Sequence, residues 1–71
     1  MSYKVVLSSF EGPFDLLVYL IESAKMSIYD IQISEITEQY VGYLNDMKEA
    51  DIAVSAEFMV LAATLIEIKS R

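Results

Sequence analysis

The chain has 71 residues, no Cys, no His, and 11 acidic against 5 basic residues, for a net charge of −6. A chain this long supports one small hydrophobic core, and 55% hydrophobic residues suits a folded globular domain, not a disordered tail or a membrane protein. Without Cys or His it can form no disulfide and no ordinary structural zinc site, and it lacks the commonest catalytic base and the strongest nucleophile.

The acidity also speaks against nucleic acid. Counterion release needs clustered cations, whereas Lys4, Lys25 and Lys48 lie far apart and only Lys69 and Arg71 are close. An anionic membrane surface is disfavoured for the same reason. The opening apolar run is too short for a secretory signal core with a cleavage site. The apolar residues 16–21 are bracketed by Asp15 and Glu22, far below the roughly 20 residues of a membrane span. A cytoplasmic location is expected. A core of this size supplies only about 3–5 kcal/mol, and with disulfide and zinc excluded, another chain is the simplest remaining source of stability.

Residues 3–10 are Val-rich and short, which predicts one β-strand. Glu11-Gly12-Pro13 ends it, and Pro13 with Asp15 in the following turn predicts a helix over 13–24. Phe14, Leu17, Val18 and Ile21 make its apolar stripe, widened by Leu16 and Leu20, and Lys25 suits the negative end of the helix dipole. Residues 27–33 are ambiguous. Tyr29, Ile31 and Ile33 alternate with polar residues as in a strand, but the stretch is short enough for a turn.

A second helix is expected over 34–48, with Ile33, Ile36, Tyr40, Tyr43, Leu44 and Met47 on its apolar face. Gly42 weakens it by about 1 kcal/mol and suggests close packing there. Tyr40 and Tyr43 read as core-margin residues with their hydroxyls in water, while Tyr29 suits either an interface anchor or an exposed position.

Asp51 or Ser55 caps a third helix that continues to the chain end. From residue 52 to 68, 13 of 17 residues are apolar. Val54, Phe58, Leu61, Leu65 and Ile68 form one stripe; Met59, Ala62, Ala63 and Ile66 form a second beside it. A helix this broadly apolar must be buried on more than one side. Two short companion helices cover one stripe, and the other awaits a partner. Small Ala62 and Ala63 permit close helix approach and Met59 adds an adaptable surface. A lone strand over 3–10 is a second invitation to pair with another chain.

The carboxylates lie near helix starts or alternate with apolar residues, the pattern of a solvated face. Ser70 and Lys69 are adjacent on a helix and point apart, so they form no dyad. The Gly12-Pro13 turn lacks the repeated glycines and the Lys of a phosphate-binding loop. No catalytic, cofactor or metal site is expected, and an all-α, small three-helix bundle with a short N-terminal β-strand is.

Three strings carry a resemblance: FEGPFDLLVYLIE at 10–22, IYDIQISEITEQYVGYL at 28–44 and VSAEFMVLAATLIEIKSR at 54–71. In this order and spacing they resemble the N-terminal domain of segregation and condensation protein A, the bacterial kleisin. Phe14 and Val18 stand where that family commonly has Leu, and Gln32 where it commonly has Pro, which leaves the conformation of 27–33 open. The resemblance implies a non-enzymatic subunit of the bacterial condensin complex, nucleoid-associated through that complex and serving chromosome condensation and segregation. It implies docking on the coiled-coil neck of a structural-maintenance-of-chromosomes ATPase. It also implies a linker that binds segregation and condensation protein B and a C-terminal winged-helix domain, both beyond residues 1–71, which form a single N-terminal domain. Met59, Ala62, Ala63, Ile66 and Ser70 are the expected partner-binding residues, with Phe58, Leu61 and Leu65 as the opposite choice. The alternative is a homo-oligomeric structural helical domain of unrelated role, and self-association as a dimer is compatible with either reading.

Overall fold

Pro13 opens the first helix, α1 (Pro13–Ser23), at the position where its missing N–H leaves no bond unmade. The Asp15 carboxylate reaches back to accept the Glu11 N–H at 3.1 Å, placing negative charge beside the positive helix end. The computed structural model describes residues 10–27, 29–51 and 53–71. Apart from Phe10, the strand expected over 3–10 lies outside them. Phe10 itself packs on the core and meets the Tyr19 ring at 5.4 Å between centroids.

The α1 helix ends in a left-handed turn. Lys25 has φ 59°, its N–H reaches the Glu22 carbonyl at 3.0 Å, and the Met26 N–H reaches the Ile21 carbonyl at 3.0 Å. This bond pair closes a helix end where glycine is the usual residue, and Met26 follows by packing against the core. A tight turn comes next, which resolves the ambiguity over 27–33. The Ser27 carbonyl accepts the Asp30 N–H at 3.0 Å, and the Ser27 hydroxyl oxygen accepts the Tyr29 N–H at 3.1 Å.

The second helix, α2 (Ile33–Glu49), has Glu35 in its first turn and Lys48 in its last, each matching the dipole. Asp51 closes this helix instead of capping the next: it takes φ 61° and donates its N–H to the Lys48 carbonyl. Asp tolerates this left-handed conformation better than most residues. Ser55 is extended and stands at the N-cap position of α3 (Ala56–Lys69), so that helix begins later than residue 52. None of the three helices has a side-chain bond at its N-cap, whereas backbone bonds close each C-terminal end.

All three helices touch, and α2 and α3 share the largest interface. Contacts pair Thr37 with Leu65 and Tyr40 with Phe58, so the two run antiparallel. The core is Leu16, Leu20 and Ile21 from α1, Ile36, Tyr40 and Leu44 from α2, and Phe58, Leu61 and Leu65 from α3. The described residues therefore form an all-α three-helix bundle. Among the described residues, no helix is long and apolar enough to cross a membrane.

Three expectations need correction. The inner face of α1 is Leu16, Leu20 and Ile21, while Phe14 and Val18 face outward; Asp15 and Glu22 share the side of the helix opposite Leu20 and mark it as the solvent side. Tyr40 is no margin residue: it is fully buried and donates its hydroxyl to the Phe58 carbonyl at 2.9 Å. Gly42 marks no close packing, since a Cβ there would meet nothing within 4 Å.

Lys25→Gly should stabilise the bundle by about 0.5–1 kcal/mol in urea unfolding, because glycine adopts the left-handed turn without strain. Tyr40→Phe should cost about 1 kcal/mol through the lost hydrogen bond. Burial raises the Tyr40 pKa from 10.0 to about 12. Above pH 10 the unfolded chain therefore releases a proton that the folded chain keeps. The associated stability is complete below pH 10 and is lost as pH rises toward about 12. Tyr40→Phe should lack that component, and the tyrosinate absorbance of the folded wild type should contain a late-titrating component that Tyr40→Phe loses.

Candidate partner-binding surface

Apolar residues surround α3 on nearly all sides, so no single stripe is marked by contrast with polar neighbours. Phe58, Leu61 and Leu65 go inward and fill the core. What remains outside is apolar as well. Met59 is 50% exposed and Ile66 48%, Ala63 is exposed and Ala62 half-buried. On the far side Val60 is 64% exposed and Ile68 also faces out.

The expected partner-binding residues come together with side chains from α2. Met59, Ala62, Ala63 and Ile66 form one wall of a hollow of ≈ 230 Å³, opposite Val41, Leu44, Asn45 and Lys48, with Val54 at one end. A second hollow of ≈ 520 Å³ continues the groove past Thr37, Glu38, Gly42, Lys69 and Ser70. Val41, Asn45 and Ile66 line both, so the two are one groove along the α2–α3 seam. Ser70 stands apart from the other four, in the second hollow, and its hydroxyl is bonded to the Ile66 carbonyl at 2.9 Å. Phe58, Leu61 and Leu65, the opposite choice, are committed to the core.

The groove's polar fittings are mostly satisfied internally. Lys69 Nζ lies 3.5 Å from Glu38 Oε1, and the Thr37 hydroxyl points to the Leu65 carbonyl at 3.5 Å, a weak bond. Neither hollow of this groove holds two carboxylates, so no general acid–base pair converges there. Among the described residues no cluster of three or more metal-ligating side chains occurs.

The wall that α2 contributes was not singled out from sequence. Val41 was the available signal: an apolar residue off the α2 stripe, on the turn that carries Asn45 and Lys48. A second exposed apolar area is Phe14 with Val18 and Tyr19 on α1; the sequence hides it because Phe14 and Val18 share the helical spacing of a core stripe. Tyr29, open to either role, is 96% exposed.

Comparison with known proteins gives a consistent result. The family model described as "Segregation and condensation protein ScpA" matches residues 20–71. The chain is similar to proteins named segregation and condensation protein A from Clostridium acetobutylicum, at 56% identity, and Brevibacillus brevis, at 52%. Both matches cover 100% of this chain and 28% of the relative. A third, from Clostridium botulinum, is 54% identical over 96% of this chain and 27% of its own length. The chain thus spans less than a third of the length of the curated relatives it matches.

Gly42→Ala should raise the unfolding free energy by about 1 kcal/mol, because the new methyl meets open space and the helix gains intrinsic propensity. Urea titration followed by circular dichroism checks this; a loss of stability would mean that the position is tighter than its surroundings indicate.

Proposed function

The chain belongs to the segregation and condensation protein A family, and from that premise we propose that it is a non-enzymatic adaptor domain of a bacterial condensin complex. Its task is to dock on the coiled-coil neck of a structural-maintenance-of-chromosomes ATPase. Residues 1–71 act as a single N-terminal domain. The linker for segregation and condensation protein B and the C-terminal winged-helix domain would belong to the rest of a full-length family member. Through such a complex the domain serves chromosome condensation and segregation in the cytoplasm, at the nucleoid.

One observation carries this reading: the exposed apolar arc of α3. At about 100° per residue, Ala62, Ile66, Met59 and Ala63 follow one another over roughly 100°, and beyond Ala63 the polar Glu67, Thr64 and Glu57 separate it from Ile68. An ordinary helix buries a stripe about 100° wide against its neighbour. This second stripe, beside the core stripe of Phe58, Leu61 and Leu65, is therefore the width that one further helix covers, such as a helix of a coiled coil. Met59, Ala62, Ala63 and Ile66 would take it along the α2–α3 groove, with Ser70 at its far end. Docking of this kind is helix-against-helix packing driven by apolar burial, at about 25 cal/mol per Å² before the costs of association. Movement of the ATPase heads would tune its release.

Ala63 and Ile66 are both exposed, so Lys is accommodated at either position without disturbing the core. Ala63→Lys and Ile66→Lys should each weaken binding to a purified head-plus-neck fragment by at least about a hundredfold, since a cation would be buried unpaired. Far-ultraviolet circular dichroism should be unchanged. Wild-type affinity in both variants would remove this face from consideration.

A further inference from the structure

Of the polar side chains along the α2–α3 groove, four already have partners within the chain. Thr37 bonds the Leu65 carbonyl, Ser70 bonds the Ile66 carbonyl, and Glu38 and Lys69 pair with each other. Asn45 and Lys48 are different. Asn45 stands where the two hollows meet, between Val41 and Ile66, and its amide makes no hydrogen bond among the described residues. Lys48 lines the hollow beyond it, and no carboxylate of the described residues lies within salt-bridge distance of its Nζ. Asp51 shares the last hollow with Lys48 and Met59 yet remains outside that distance.

Both groups are exposed, so water serves them in the free chain. A helix seated in the groove would remove that water. A wholly apolar helix would then strand an amide and an ammonium group, at a penalty that offsets the apolar burial around them. The excess of 11 acids over 5 bases makes an unpaired lysine in the one apolar seam between α2 and α3 informative. A carboxylate of this chain could have neutralised it, as Glu38 does for Lys69, and among the described residues none does.

We infer that the helix occupying this groove presents a hydrogen-bonding side chain opposite Asn45 and a carboxylate opposite Lys48. Asn45 and Lys48 are one turn apart on α2, so the two groups on a helix lying alongside should be about three or four positions apart. This polar pair fixes the sliding register of an otherwise greasy contact. Apolar packing along α3 is tolerant of a one-turn shift, whereas an amide and a lysine that must both be satisfied are not. The inference rests on the docking reading and adds the chemistry of the occupant.

The test compares the 71-residue chain with three variants in binding to the ATPase head-plus-neck fragment, at low and at high salt. Lys48→Glu should bind about tenfold more weakly at low salt, and its affinity should no longer fall as salt rises. Asn45→Leu should also lose about tenfold despite its larger apolar surface, because the facing polar group is left unsatisfied. Ile66→Lys reports on the docking face itself. If Ile66→Lys abolishes binding while Asn45→Leu and Lys48→Glu keep wild-type affinity and salt dependence, the polar pair is overturned and the docking reading survives. Tighter binding by Asn45→Leu would likewise overturn it. Wild-type binding by Ile66→Lys removes the face and the inference together.

Discussion

The hydroxyl of Tyr40, buried in the middle of the bundle, donates its proton to the backbone of α3 at Phe58. That bond matters because of what α3 lacks. An ordinary amphipathic helix is turned the right way by its own pattern, apolar inward and polar outward. Nearly every side of α3 is apolar, so hydrophobicity alone leaves its rotation about its own axis almost undecided. The Tyr40 contact, the weaker Thr37 contact to Leu65 and the Glu38–Lys69 pair remove that freedom from outside. Since buried hydrogen bonds are directional and costly to leave unmade, α2 sets the phase of α3, and so determines which apolar side chains remain on the surface.

Fixing the phase has a consequence for energetics. Among the described residues ten apolar side chains are buried, a modest set for a domain with no disulfide. Much further apolar surface, on α3 and on the outer side of α1, stays in water. The free bundle therefore leaves part of its sequence's apolar content unused. A ligand that covers such surface in the folded state alone raises stability by mass action, so folding and association are thermodynamically linked.

How much of this was legible in sequence depended on contrast. Helix α2 was, because its apolar positions repeat against a charged background; its expected limits, 34 and 48, fall one residue inside Ile33 and Glu49. Pro13 and Asp15 announced α1, and the side opposite Asp15 and Glu22 holds its inner residues Leu16 and Leu20, whereas spacing counted from Phe14 points further round the helix, to Val18. Asp51 and Ser55 both look like caps for α3 in sequence, and Ser55 takes that position; the capacity of Asp51 for a positive φ at the end of α2 is a property of three-dimensional context. Met59, Ala62, Ala63 and Ile66 could be grouped by spacing alone. That they share a groove with Val41, Asn45 and Lys48 depends on the antiparallel register of α2 and α3, which no local pattern in either helix encodes.

The uneven finish of the helix ends has its own outcome. Each helix is closed at its C-terminus by backbone bonds, two of them through left-handed residues, while none begins with a side-chain cap. Opening of the native backbone should accordingly enter every helix from the same direction, with amide hydrogens in the first turns exchanging with deuterium before those of the last. Because α2 and α3 lie antiparallel, these two early-exchanging ends sit at opposite ends of their shared seam, and the slowest amides should flank Tyr40 between them.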